Sequence, residues 1–358
     1  MISDCVTLAA WLHDLNPYMF RLPGGWGPRW YGFAYLLGFV AGYLLVRRVA
    51  QVGAGGLRPD RVIDWATYAG VGLLVGGRLG YCLFYKPELF IEFTPSLPFW
   101  GVLAVHQGGM ASHGGIIGAI AGCVIFAWRS GIHPLFAVDL VAFAGGPGVF
   151  FGRVANFING ELYGRPTEAS FPLAVRFPQE AGDFEHHPEV SDAVVTAIYQ
   201  ARIAVPPEVE ESLVLFHQWV LERVQAGDSL VKVAIAPHLT PRHPSQLYAA
   251  LSEGLIVLLA MLVVWWVPRR PGVVAGAFLV VYGLMRIANE FFRMPDAYLE
   301  PQWLDLSRGQ WLSVPMVLIG AAVLAWCATR KTAKVGGWRR GPWSPEATPA
   351  KPAESKPA

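Results

Sequence analysis

With 54% of its 358 residues hydrophobic, only 15% charged and a mean hydropathy of +0.39, the chain lies outside the usual composition of soluble globular domains. A formal net charge of +2 excludes the strongly basic balance of a nucleic-acid binder, so no nucleic acid is expected as a partner. Four cysteines, Cys5, Cys82, Cys123 and Cys327, stand far apart, three of them in apolar runs, which fits neither a disulfide framework nor a metal spacing.

The amino terminus, MISDCVTLAAWLHDLNPYMF, lacks a basic start followed by a clean apolar core and is not read as a cleaved signal. Seven apolar runs then follow, at or near the roughly 17 to 25 helical residues that cross about 30 Å of hydrocarbon. They lie near Trp30 to Val49, Trp65 to Tyr85, Gly114 to Trp128, Leu135 to Phe151, Ser245 to Val267, Val273 to Phe292 and Trp311 to Thr329. Helices are the open-chain way to satisfy a backbone in lipid, so the expected fold is all-α, a polytopic membrane helical bundle. Short loops after the first, third, fifth and seventh runs hold fourteen Lys and Arg residues, against five in the short segments on the other side. That asymmetry puts the amino terminus outside and the carboxy terminus in the cytoplasm. The long segment between runs four and five is then external; it is acidic and partly helical by pattern, as in EVEESLVLFHQWVLERV, and reads as a small cap. His186 and His187 within it lack neighbouring ligand spacing and read as plain surface. Beyond about Thr332 the mixture of Pro, Ala, Lys and Gly has no periodicity and reads as a disordered tail. The expected divisions are 1–29, 30–151, 152–243, 244–330 and 331–358: an external amino-terminal segment, spans one to four, signature and cap, spans five to seven, and the tail.

Polar residues within these runs mark a site, because ionisable groups in a bilayer are costly and default to function. Run six carries Tyr282, Arg286, Asn289, Glu290 and Arg293 on one helical face. Run two holds Arg78 in VGGRLGYCLFY; a close helix crossing with the charge reaching the interface is an equally good reading. Before run three comes VHQGGMASHGGIIGAIAG, in which His113, a residue type that can exchange protons, adjoins paired glycines. Run one presents Tyr31 and Tyr35 at helical spacing. The densest group is FGRVANFINGELYGR, residues 151–165, with Arg153, Asn156, Asn159, Glu161, Gly164 and Arg165. A re-entrant turn capped by its asparagines accounts for part of it but not for Arg153, Glu161 and Arg165. With the orientation above, Tyr31, Arg78, His113, Arg153, Arg242 and Arg286 all fall toward the outer side. Arginines at lipid depth suit a phosphate, which the guanidinium fork binds bidentately without ever losing its proton. Within a membrane that phosphate is a phospholipid head group. No GxxxxGK[ST] loop is present, and neither cofactor nor metal is implied.

Five motifs, WYGFAYLLGF, HGGIIG, GRVANFINGELYG, RHPSQLY and YGLMRIANEFFRMPD, appear in an order that resembles the prolipoprotein diacylglyceryl transferases of the bacterial cytoplasmic (inner) membrane. The resemblance runs from about Trp30 to Pro315. It implies seven spans with an external, periplasmic amino terminus. It also implies a reaction: transfer of the diacylglyceryl group of phosphatidylglycerol to the lipobox cysteine of a preprolipoprotein, releasing glycerol 1-phosphate. Carried over by position, Arg153 would bind phosphatidylglycerol and Arg286 would be a second phosphate partner. His113 would be the base for the incoming thiol, or Glu161 in its place. Asn156, Glu161 and Gly164 would shape the head-group pocket, supported by Tyr31, Tyr282 and Glu290; Arg78 is counted with the substrate-binding residues. The segment between Arg165 and Arg242 looks longer than is usual in the family, and the tail lies beyond the shared core. A secondary transporter is the reading from another class, but no half of the chain echoes the other and the polar groups gather outward. Other phospholipid-modifying enzymes generally show metal-binding carboxylates or a serine nucleophile in a glycine frame, and neither stands out.

Overall fold

The computed structural model describes residues 10–23, 26–52, 56–95, 97–294 and 306–338. The expected tail falls outside the described residues from 339 onward. The long helices are α1 (Trp30–Val52), α2 (Val62–Phe84), α3 (Ser112–Ser130) and α4 (Pro134–Asn159). The segment that follows carries α5 (Pro188–Gln200), α6 (Leu213–Gln225) and α7 (Ser229–Ile235), and then come α8 (Ser245–Val264), α9 (Val273–Asn289) and α10 (Arg308–Thr329). By length and apolarity α1, α3, α4, α8 and α10 can cross a membrane; α9 is apolar but shorter, with 17 residues. Helix α2 is as long as α1 but is not among those five.

Two boundaries differ from the sequence reading. Helix α4 does not stop at Phe151 but runs to Asn159, so Arg153 and Asn156 stand on a helix rather than on a re-entrant turn. Its stop is Gly160, at φ +69°, the left-handed position that glycine takes up without a Cβ penalty. Helix α3 begins at Ser112, which places His113 in its first turn, and it ends on Gly131, also left-handed, whose N–H returns to the Ala127 carbonyl.

The chain divides into two compact units. The first comprises Met1–Phe39, Gly146–Val257 and Tyr282–Met316; the second comprises Val40–Gly145, Leu258–Val281 and Val317–Ala358.

In the second unit, α2 and α3 meet along a seam of small residues. A Cβ added at Gly72, Gly76 or Gly118 would overlap the partner helix's backbone, so this approach is open to glycine alone. The apolar core beside it packs Trp65, Phe126, Phe136, Phe143 and Trp265, with the Trp65 indole N–H donating to the Ala137 carbonyl at 3.0 Å. Asp139 of α4 is buried, and its carboxylate accepts from the Gly272 and Ala275 N–H groups at 2.8 and 2.7 Å. It thereby caps α9 from another helix, which satisfies donors that no carbonyl of α9 can reach.

In the first unit, three two-residue strands, β1 (Trp11–Leu12), β2 (Val175–Arg176) and β3 (Pro241–Arg242), form a small sheet in the order β1-β2-β3. β1 runs parallel and β3 antiparallel to β2. Helices α5, α6 and α7 bury a second core of Val190, Val194, Ile198, Phe216, Val220 and Ile235. The apolar stripe of EVEESLVLFHQWVLERV faces this core through Phe216, Val220 and Val224, as its periodicity predicts. Asp228 caps α7 by accepting from the Leu230 and Val231 N–H groups at 3.0 and 3.2 Å. These bonds hold its carboxyl below the usual aspartate range.

Candidate active site

The first unit gathers most of the residues singled out in the sequence. Arg153, near the carboxy end of α4, pairs with Glu253 of α8 at 2.9 Å, and the Tyr282 hydroxyl hydrogen-bonds the same guanidinium. The other Glu253 oxygen faces Arg286 of α9 at 3.3 Å and accepts from the Asn289 amide at 3.2 Å. Glu253 is thus an anion held between two arginines from separate helices, and it is 0% exposed. Arg286 also pairs with Glu290, one turn on, at 2.5 Å. Ser307 donates its hydroxyl to Glu290 at 2.7 Å while exchanging bonds with Gln310 across the first turn of α10. That reciprocal Ser-x-x-Gln box starts α10 and ties its first turn to Glu290, the partner of Arg286.

Glu253 lies in a π-helical turn, Ala250–Ile256, within α8. Such turns widen a helix and are frequent at functional sites, where they re-aim one side chain. The neighbouring Gly254 has the Phe150 backbone against it, so any side chain there would push α8 away from α4.

The loop that follows α4 is clasped by the RHPSQ run. Ser245 donates to the Leu162 carbonyl at 3.0 Å, Gln246 to the Glu161 carbonyl at 2.7 Å, and Arg242 to the Gly164 carbonyl at 3.2 Å. The Gly164 N–H donates to the His243 carbonyl at 3.0 Å, and the next N–H, of Arg165, to Phe292 at 2.8 Å. Gly164 is wedged between those two carbonyls, and a methyl group there would overlap both. Above the loop, Arg242 is buried, paired with Glu180 at 2.6 Å and stacked 4.8 Å over the Tyr163 ring. Burial pushes the Tyr163 phenol up to about 12 and holds His243 below the usual histidine value. Within the loop, the Glu161 carboxylate accepts from the Asn156 amide at 2.5 Å, and Asn156 also reaches the Tyr31 hydroxyl at 3.4 Å. A cavity of about 10 Å³ opens among Arg153, Ser245, Gln246, Asn289 and Arg293, room for about one water. Gln246 and Asn289, two of its lining residues, each keep a buried amide oxygen without a hydrogen-bond partner among the described residues.

Tyr31, Arg153, Asn156, Glu161, Gly164, Tyr282, Arg286 and Glu290 therefore belong to one unit, while Arg78 and His113 belong to the other. His113 is exposed in the first turn of α3. In that other unit the three guanidinium nitrogens of Arg78 donate to the carbonyls of Gly101, Val102, Gly108 and Gly109. Two features escaped the sequence reading. Glu253 stood in plain view in ALSEGLIVLLA, an acid in an apolar run, which is the same signal that singled out Arg78. The clasp had no such signal, since its partners are backbone carbonyls far along the chain.

A family profile described as prolipoprotein diacylglyceryl transferase matches residues 17–326, which cover the whole of this arrangement. The chain belongs to that family. A phosphatidylglycerol–prolipoprotein diacylglyceryl transferase of Bdellovibrio bacteriovorus is 44% identical over 346 residues, covering 92% of this chain and 97% of its own. Proteins of the same name from Azospirillum brasilense and Rhodopseudomonas palustris are 38% and 35% identical, covering 91% and 93% of this chain and 99% and 94% of theirs. Family membership and the apolar helices make the chain a multi-pass membrane protein, as its composition implies. Two guanidiniums so placed can together grip a phosphodiester.

Proposed function

We propose that this chain transfers the sn-1,2-diacylglyceryl group of phosphatidylglycerol to the lipobox cysteine of preprolipoproteins. The observation that carries the reading is the Arg153–Glu253–Arg286 array, two half-buried cations spanned by one buried carboxylate. A phosphate monoanion is the natural successor to that carboxylate, since it presents two oxygens to two guanidiniums. The cavity beside the array is too small for it, so entry displaces the Glu253 carboxylate or swings an arginine outward.

In the transfer itself the cysteine sulfur attacks the sn-3 glyceryl carbon, the bond from that carbon to the phosphate oxygen breaks, and a thioether forms. The thiol proton goes to a base, and the departing glycerol 1-phosphate gains a second negative charge on its phosphoryl oxygens. Arg286 and Arg153 stabilise that charge as it develops. His113 takes the thiol proton. Glu161 is the second reading for the base, favoured by its place beside Asn156 in the unit that holds the arginines. Tyr31 and Asn156 orient Glu161, Tyr282 orients Arg153, and Glu290 orients Arg286.

The same reading makes α2 and α9 membrane-spanning with the other five, seven spans in all, in the bacterial inner membrane. Basic residues of the short loops support a periplasmic amino terminus and a cytoplasmic carboxy terminus. The insert between α4 and α8, with its own core, is then a periplasmic cap. The transporter reading has no support from the relatives' names.

The test is to incubate purified protein with phosphatidylglycerol and a lipobox peptide and to follow the mass of the peptide. A gain of one diacylglyceryl unit on cysteine is expected, and its loss in Arg153→Ala and Arg286→Ala. Wild-type activity in both variants overturns the phosphate roles; a His113→Gln enzyme with full turnover across pH passes the base to Glu161.

A further inference from the structure

We infer that Arg78 is a positioning residue, which moors the loop of residues 101–111 to α2 and so sets the end of α3 that carries His113. The guanidinium is 6% exposed, within a helix otherwise dominated by apolar and small residues. Its Nε donates to the Val102 carbonyl at 2.7 Å and one terminal nitrogen to Gly101 at 2.7 Å. The other terminal nitrogen donates to Gly108 at 2.6 Å and to Gly109 at 3.0 Å. No carboxylate is among these partners; the charge is balanced by carbonyl dipoles drawn from two places in one loop. A buried cation is tolerable only when its donors are satisfied in this way, and a phosphate could use the fork only by stripping it from the loop.

The loop is shaped to meet the arginine. Gly108 and Gly109 stand at φ +84° and +83°, consecutive left-handed residues that turn both carbonyls onto the guanidinium. Gly109 also lies flat on the Tyr81 ring, where a Cβ has no room. Two residues later the Ala111 N–H donates to the Gly77 carbonyl at 2.9 Å, beside Arg78 on α2, and α3 begins at Ser112. Gly114 closes the join by packing its backbone against Gly76 and Gly80. His113 is therefore flanked on both sides by contacts to the Gly76–Gly80 turn of α2. A lysine cannot replace the arginine, because one ammonium cannot reach carbonyls at both ends of the loop.

The catalytic consequence rests on the proposed role of His113; the mooring itself does not. In Arg78→Lys, amide exchange across residues 101–111 should quicken at least tenfold, kcat should fall about a hundredfold, the scale of an ångström's misplacement, and KM for phosphatidylglycerol should move less than threefold. Gly108→Ala leaves the charge in place and breaks the same turn, so it should give the same split, and it decides the matter if Arg78→Lys does not fold. A tenfold rise in KM with kcat kept would make Arg78 a phosphate ligand, and unchanged exchange in both variants would remove the mooring; either overturns the inference. Should His113→Gln prove fully active, the base assignment falls, while the exchange measurement still tests whether Arg78 holds the loop.

Discussion

Replacing Glu253 by glutamine removes a buried anion from between two half-buried cations while keeping the side chain's shape. Deleting one partner of a buried ion pair costs roughly 3–5 kcal/mol, because the other charge stays behind without compensation. The loss falls unevenly. Arg286 keeps Glu290 at 2.5 Å, whereas Arg153 keeps, among the described residues, its bond to the Tyr282 hydroxyl. One amide oxygen still accepts, so the lower end applies, about 3 kcal/mol, spent on the position of the Arg153 guanidinium. If that position matters to the departing phosphate, Glu253→Gln should lower kcat/KM by about a hundredfold. The peptide mass assay, run at several phosphatidylglycerol concentrations in detergent, reads this directly, and a thermal melt of the same preparation shows whether the fold survives. Activity within threefold of wild type, with an unchanged melt, would refute the idea that Glu253 holds the arginine pair ready.

Three further outcomes follow from the geometry. Gly164→Ala should abolish measurable transfer, since its methyl meets the His243 and Phe292 carbonyls, which no rotamer change relieves; an active variant would show that the loop has slack. Gly118→Leu should separate α2 from α3 and lower the melting temperature by several degrees, whereas the same change at Gly148, where a Cβ meets nothing, should be far milder. Burial holds His13, His217 and His243 below the usual histidine value, so the unfolded chain binds more protons than the folded one as pH drops below about 6.5. Their contribution is present above that pH and lost beneath it, so proteolysis within residues 160–244 should quicken between about pH 6.5 and 5. An insert equally resistant at both values would count against neutral, buried histidines.

What the sequence disclosed and what it withheld divide along physical lines. Arg153, Arg286, Asn156 and Glu290 were legible because charged and amide groups are conspicuous in an apolar run, and their helical spacing was legible because the period of 3.6 holds in lipid as in water. The end of α4 was misplaced at Phe151 because polar residues look like an exit from the membrane, while the helix itself stops only where Gly160 turns left-handed. Arg78 stands out in its apolar run for the reason that Arg153 does. Only the carbonyls of Gly101, Val102, Gly108 and Gly109 tell the two apart, and backbone acceptors leave no mark on a sequence.

The clasp between the Gly164 loop and the RHPSQ run has a bearing on how the insert between them can vary. Gly164 and His243 are joined by a hydrogen bond, and Pro166 bridges Arg242, so the intervening stretch leaves and returns at one point. A tether closed in that manner becomes costlier only with the logarithm of its length. The chain can thus lengthen, shorten or exchange this lobe while the arginines of the same unit keep their places, and a sizeable insert is compatible with an unaltered arginine array.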